Sequence, residues 1–179
     1  SSISYHNQKS YFGRTNYLAN QLSYYLNLSH VFHWRNHKLY SGIDFKRQNL
    51  NEEIVFNDTL NRTYQGMPKN EKVPGLFIEN NFNWKNKNII LVTGLRVDNH
   101  NSYGVFFTPR TLLKYNISEN TSARISVGSG WRTINLFSEN IKLFGCNREI
   151  DISEDLKPEK AFNYGANILH AIYRENSEF

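Results

Sequence analysis

Apolar and polar positions alternate with a period of two along much of the chain. The clearest stretch is 22–34, where the even positions are mostly aliphatic or aromatic and the odd positions mostly polar. Period two is the spacing of a β-strand with one apolar face. This stretch is longer than the usual strand of a globular protein, which has about 5–6 residues. The pattern therefore predicts unusually long strands.

Further alternating stretches predict seven antiparallel strands in all. They lie at 22–34, 38–48, 76–84, 89–98, 105–115, 122–128 and 161–173. Pro109 interrupts the fifth of these, and because proline donates no ladder hydrogen bond we expect a bulge or a local edge there.

The connections differ between the two ends of the predicted sheet. Short turns follow the first, third and fifth strands, whereas the other connections are longer or richer in Gly, Tyr and Asn. Residues 51–72 are expected to form a long polar loop, and residues 131–156 an irregular connection with one helical turn at 136–140. One end of the sheet should therefore carry tight turns and the other elaborate loops.

Composition narrows the classes of protein. The chain has 179 residues, which suits one domain or a piece of a larger one, and it holds one cysteine, which excludes a disulfide framework. No apolar run is long enough for a transmembrane helix, and the first residues do not resemble a signal peptide. The net charge of +5 is spread along the chain, so nucleic acid is not expected as a partner. It contains 11 Tyr, 12 Phe and 3 Trp, which favour strands, and many Asn, which favour turns. This composition suits an all-β protein.

Long up-and-down strands, one apolar face and asymmetric loops are typical of transmembrane β-barrels. Trp34, Trp84 and Tyr115 lie near predicted strand ends, where barrels carry an aromatic girdle. The tight turns beside them would face the periplasm. The alternative is a soluble β-sandwich or small barrel that binds a ligand such as a carbohydrate. In that case a second sheet would cover the face that carries Leu22, Leu26, Leu91, Leu95 and Ile125.

Charged residues alternate onto the opposite, lumenal face of the predicted barrel. Because semi-buried charges need partners, we expect an ion-pair network among them, or contacts to a plug. Gly94, Gly128 and Gly165 face the same way and leave space. The residues of the expected network are Asp44, Glu79, Arg96, Asp98, Arg110 and Arg124.

No catalytic, cofactor or metal motif stands out. Gly128-Ser129-Gly130 lacks the spacing of a nucleophile elbow and the third glycine of a dinucleotide loop. His30 and His33 differ by three positions on a strand, so their side chains point to opposite faces and cannot form a metal pair. We therefore predict no enzyme activity, no cofactor and no metal site, and we disfavour an outer-membrane enzyme barrel.

Several segments resemble the barrel of TonB-dependent outer-membrane receptors, in the form found in Bacteroidetes-type bacteria. The most specific set is Gly-Leu-Arg-Val-Asp at 94–98, then Thr-Pro-Arg at 108–110, then Pro-Glu-Lys-Ala-x-Asn-Tyr-Gly at 158–165. The other resembling segments are 6–13, 37–42, 73–79, 103–104 and 128–140, and the whole set covers nearly the entire chain.

The resemblance implies an all-β chain of antiparallel up-and-down strands, about seven strands of a larger transmembrane barrel. Such barrels have about 22 strands and an N-terminal plug, so residues 1–179 are expected to form a single barrel segment without the plug. It further implies active uptake of a siderophore, haem, cobalamin or oligosaccharide in the bacterial outer membrane. The implied partners are outer-membrane lipid, that ligand and, through the plug, the TonB complex.

Ligand contacts are expected from the loop end. Aromatic and arginine side chains bind sugars, haem or catecholate groups by stacking and by charge. The candidates are Tyr64, His100, Tyr103, Trp131, Arg132 and Asn135.

Overall fold

The computed structural model describes residues 1–56, 63–66, 68–84, 88–140 and 156–172. These residues form one antiparallel sheet of nine strands in the order β1-β2-β3-β5-β6-β7-β8-β9, with the short β4 also paired to β3. The strands are β1 Ser2–Phe12, β2 Thr15–Trp34, β3 His37–Phe56, β4 Thr63–Gln65, β5 Lys69–Trp84, β6 Ile89–His100, β7 Gly104–Asn116, β8 Thr121–Arg132 and β9 Glu159–His170, and α1 spans Leu136–Glu139.

The predicted up-and-down, all-β architecture is confirmed. Each strand pairs with its neighbour in the chain, apart from the insertion of β4, and the helical turn expected at 136–140 is α1. Within the described residues, β1 and β9 each have one unpaired edge, so the sheet is not closed. Parts of the predicted loops, at 57–62, 85–87 and 141–155, lie outside the described residues, as does the predicted last strand beyond residue 172.

The polar loop expected at 51–72 is wrong for much of its length. Strand β3 continues to Phe56 and pairs with β2 as far as Thr15, and β5 already begins at Lys69. Leu50, Ile54 and Phe56 do alternate, but they are buried on the face opposite to the apolar residues earlier in the same strand. Strand β1, whose residues are almost all exposed, was not predicted either.

Pro109 marks a local edge, as predicted. Its strand pairs with β6 from Gly104 to Tyr115, yet the pairing of β7 with β8 ends at Arg110 and Gly128. Because proline has no amide hydrogen to donate, the ladder towards β8 stops beside it. The last residues of β8 are therefore not held in the plane of the sheet by pairing with β7.

The register defines two faces of the sheet. The inner face carries Asp44, Gly75 and Asp98, which lie opposite one another in one row across β3, β5 and β6. The outer face carries Leu26, Phe45 and most of the exposed large apolar side chains. No second sheet of described residues covers this face, and representative exposed fractions there are 57% at Leu26, 55% at Ile125 and 67% at Phe107. A soluble sandwich would bury these side chains.

Burial is concentrated at the end of the inner face that carries the long connections, which we call the loop end. The main hydrophobic cluster there consists of Tyr17, Ala19, Ile54, Phe56 and Phe137. Strands β2 and β3 have 20 residues each, whereas a barrel strand needs about 9–11 to cross a bilayer. They therefore extend well beyond a membrane at the loop end.

No helix within the described ranges is both long and apolar enough to cross a membrane.

Candidate functional site

An ion-pair network occupies the middle of the inner face. Arg96 donates from Nη1 and Nη2 to the two carboxylate oxygens of Asp44, at 2.6 and 2.8 Å, and from Nε to Asp98 Oδ2 at 2.9 Å. The side chains of Asp44 and Asp98 are 0% and 5% exposed. One guanidinium group thus bridges two buried carboxylates through a forked set of charge-assisted hydrogen bonds and balances one of their two negative charges.

A glycine makes this network possible. Gly75 lies between Asp44 and Asp98 in the register, and a Cβ atom there would lie 2.8 and 2.6 Å from their carboxylate oxygens. It would also lie 2.8 Å from Nη2 of Arg96. Any larger residue at position 75 would have to displace the network.

The other expected network residues are arranged differently. Arg110 contacts Glu79 across Gly94, and the two side chains are 69% and 21% exposed, so this pair is much wetter than the first. Arg124 takes part in none of the ion pairs formed by the described residues, and it lies opposite Lys114 in the register. Among the described residues, the expected network is therefore divided into two separate ion-pair groups, and Arg124 belongs to neither.

An aromatic cluster adjoins the network on its loop side. The indole of Trp131 stacks on Phe106 at 4.1 Å and donates from Nε1 to Asp98 Oδ2 at 3.1 Å. The ring of His100 lies 4.8 Å from that of Tyr103 and 5.9 Å from that of Trp131. Strict alternation from Gly128 would put Trp131 on the outer face. Its contacts to Phe106 and Asp98 place it inside, where β8 no longer pairs with β7.

His100 is the most deeply buried member of the cluster, at 2% exposed. Its Nδ1 accepts a hydrogen bond from the amide of Ser102 at 3.1 Å, so the neutral ring carries its proton on Nε2, which faces Glu71 at 3.9 Å. Burial lowers the pKa of His100 because it penalises the charged ring, while the nearby Glu71 carboxylate opposes that shift. The imidazole is therefore kept neutral at pH 7.

Residues 133–140, which we call the strap, cross the inner face at the loop end. The strap starts at the end of β8, and its Phe137 packs among Tyr17, Ile54 and Phe56 on the far side of β5, β6 and β7. Lys69 donates to the carbonyl of Ile134 and, at 2.6 Å, to Oδ1 of Asn135. The strap is thus anchored near its start by a lysine and at its middle by an aromatic side chain.

Acidic residues fasten the base of the strap. Arg132 donates from Nε to Glu159 at 2.6 Å and from Nη2 to Glu139 at 3.3 Å, and Glu139 also accepts from the amide of Asn135 at 3.2 Å. The hydrogen bond from Arg132 lowers the pKa of Glu159. Below the strap, the hydroxyl of Tyr17 donates to Glu52 at 2.6 Å, and burial raises the pKa of that tyrosine.

The six residues expected to contact a ligand are thus distributed along one structure. His100, Tyr103 and Trp131 meet in the aromatic cluster. The other three, Arg132, Asn135 and Tyr64, lie along the strap, where Tyr64 packs against Phe56 at 5.7 Å. The sequence reasoning missed four residues of this region: Lys69, Glu71, Phe106 and Phe137. Two of them lie in the segment that was interpreted as a polar loop.

The protein-family comparison agrees with this architecture. A family model described as TonB dependent receptor-like, beta-barrel, matches residues 1–174. The chain belongs to the TonB-dependent receptor family. A comparison with curated proteins gives no significant match. TonB-dependent receptors are outer-membrane transporters and not enzymes, so the family supports a role in TonB-dependent uptake.

Membership of this family identifies what each face of the sheet contacts. The exposed apolar outer face is the lipid-facing side of a TonB-dependent receptor wall, and the inner face lines the lumen. Outer-membrane barrels place short turns in the periplasm and longer loops outside the cell. The aromatic cluster and the strap therefore lie at the extracellular mouth of the lumen.

Proposed function

We propose that the mouth of this receptor wall binds the imported nutrient through the aromatic cluster and the base of the strap. The observation that carries the proposal is the convergence of His100, Tyr103 and Trp131 on the inner face beyond the membrane span. Aromatic rings beside charged groups suit sugars and planar ring systems, which stack on the rings while their polar edges form hydrogen bonds. A ferric siderophore, haem, cobalamin or an oligosaccharide each offers such chemistry.

Exposure assigns different roles to the members of this site. Tyr103 is 44% exposed and the Arg132 side chain 59%, so both can reach a ligand. His100 is buried, and the indole nitrogen of Trp131 is already bonded to Asp98. We assign the contacts to Tyr103 and Arg132, and the positioning of these contacts to His100 and Trp131. In this proposal Asn135 and Tyr64 contribute by holding the strap.

The remaining partners follow from the family. We propose that residues 1–179 act as one wall segment of a larger barrel, and that a plug carried elsewhere in the full-length protein couples it to the TonB complex. Gly128 and Gly165 lie on the inner face of the adjoining strands β8 and β9, which leaves space for such a plug. The Bacteroidetes-type form suggested by the sequence motifs stays a prediction.

The test uses the full-length protein in a bacterial strain that lacks its own copy. Growth on each candidate nutrient identifies the ligand, and binding to the purified receptor then follows by titration calorimetry. Tyr103→Ala should weaken binding about tenfold or more. The matched control is Tyr115→Ala, which removes a similarly exposed tyrosine from the outer face near the periplasmic turns. If uptake depends on the receptor and yet Tyr103→Ala and Arg132→Gln bind like the wild type, the mouth site is wrong.

A further inference from the structure

Two basic side chains face each other on the outer side of the sheet. Arg47 of β3 pairs directly with Lys72 of β5 in the register. Both lie on the outer face, because each is two positions from an outer-face apolar residue, Phe45 and Pro74 respectively, and these two also pair with each other. Tyr24 is the neighbour of Arg47 on β2. The row therefore presents two adjacent positive charges towards the membrane side of the wall.

Neither charge is compensated within the described part of the chain. Arg47 and Lys72 take part in none of its ion pairs, whereas the inner-face residues Arg96 and Arg110 each have a carboxylate partner. The Nε of Arg47 is buried and has no hydrogen-bond partner among the described residues. Like charges placed directly opposite in a sheet are destabilising. An arrangement of this kind is expected where an anion from outside the protein occupies the space between the two charges.

The position of the pair along the strands indicates which anion this is. Arg47 is the eleventh residue of β3 counted from the tight turn before His37, and a barrel strand spans the bilayer in about 9–11 residues. On the turn side of the pair, the outer face is apolar and exposed, at Leu26, Ile43 and Leu76 among others. On the loop side it becomes polar, with Asn49 and Asn70 paired in the next outer-face row. The two cations therefore lie at the extracellular boundary of the apolar band.

We propose that Arg47 and Lys72 bind a phosphate group on the headgroup of a phosphorylated glycolipid in the outer leaflet, with its acyl chains along the apolar band below. A guanidinium group offers a planar fork that matches phosphate oxygens, and a lysine adds a mobile point charge. The inference depends on the membrane orientation given by the family and not on the nutrient site, so the two can fail separately.

The experiment compares the binding of two lipids by the full-length receptor purified in detergent. Native mass spectrometry measures retention of bis-phosphorylated lipid A and of the same lipid after enzymatic removal of both phosphates. We expect the wild type to bind the phosphorylated form about tenfold more tightly, since charge-assisted hydrogen bonds are lost with the phosphates. The Arg47→Gln/Lys72→Gln double variant should bind both forms equally weakly, and added salt should weaken only the wild-type interaction.

The matched control is Lys46→Gln, which removes a positive charge one residue away on the inner face. It should leave lipid binding unchanged. The charge-preserving Arg47→Lys variant keeps the positive charge without the guanidinium fork and should retain part of the binding. Unchanged gel mobility of the double variant before and after heating excludes a folding defect as the cause of its loss. Equal binding of both lipids by the wild type, or an equal loss in Lys46→Gln, would overturn the proposal. So would retention of inorganic phosphate without any preference for the phosphorylated lipid.

Discussion

The Arg96 network allows a direct test of how burial sets the strength of an ion pair. Arg96→Gln removes the cation that lies between Asp44 and Asp98 and leaves two buried carboxylates facing each other across Gly75. Arg110→Gln is the matched change, because it removes the same group from the same face, where Glu79 is the partner. The two substitutions differ mainly in how much water surrounds the charges that remain.

The expected costs follow from the exposed fractions. Removing one partner of a buried pair costs about 3–5 kcal/mol, because the remaining charge is left without compensation. Arg96 itself is 36% exposed, which screens part of its interaction, so we expect a loss near the lower limit, about 3 kcal/mol. The Arg110 side chain is 69% exposed, and exposed pairs contribute about 0–1 kcal/mol. Arg96→Gln should therefore destabilise the protein by about 2 kcal/mol more than Arg110→Gln does.

The assay is urea unfolding of the full-length protein in detergent micelles, followed by tryptophan fluorescence, with gel mobility before and after heating as a second measure. Adding Asp44→Asn to Arg96→Gln should recover a substantial part of the loss, since it removes one of the two uncompensated charges. Equal costs for Arg96→Gln and Arg110→Gln would show that burial does not decide the strength of these pairs.

Three further predictions concern the network, the strap and the aromatic cluster. Gly75→Ala places a Cβ atom 2.6 Å from the nearest network oxygen and should cost about 1–3 kcal/mol in urea unfolding. Gly128→Ala, where the nearest atom would lie at 3.4 Å, should be nearly neutral. Phe137→Ala removes a buried aromatic side chain and should lower the free energy of unfolding by about 3 kcal/mol or more. The strap should then be cleaved far more readily in limited proteolysis of intact cells. The control, Ser138→Ala at an exposed position, should leave the cleavage unchanged. The pKa of His100 is lowered in the folded state. The contribution of the neutral His100 ring to the free energy of unfolding is therefore fully present above about pH 6.5. It is lost as the pH falls through the folded-state pKa. Urea midpoints at pH 8 and pH 5 should therefore differ less in His100→Gln than in the wild type.

The strands that cross the membrane were predictable from sequence because lipid imposes a strict alternation. At 22–34 and 89–98 the predicted outer face is the observed one. Beyond the membrane that constraint ends, and in β3 the apolar positions change phase. Leu39, Ile43 and Phe45 lie outside, whereas Leu50 lies inside. A period-two pattern that changes face in the middle of a strand looks like a loop, which is why the upper part of β3 was missed.

The candidate site was predictable in its faces but not in its partners. The alternation of side chains along each strand is enough to place Asp44, Arg96 and Arg110 on one face. The register between strands decides that Arg96 rather than Arg110 contacts Asp44. Trp131 does not follow this alternation, because the pairing of β7 with β8 ends beside Pro109 and allows the end of β8 to turn inwards. The strap could not be predicted, since its contacts join residues about 65 positions apart, such as Lys69 and Asn135.

The limited set of buried residues explains why polar groups matter so much to this fold. A single-layer sheet has no second layer to pack against, and the main hydrophobic cluster of the described residues forms where Phe137 of the strap covers the inner face. Among the described residues, six buried polar or charged residues stand beside eight buried hydrophobic ones. Part of the inner face lies outside the apolar cluster of Tyr17 and Phe137. There the strands are held together by polar side chains, namely Asp44, Asp98 and His100. A core built in this way stays lined with hydrogen-bonding groups, which suits a lumen through which a polar nutrient must pass.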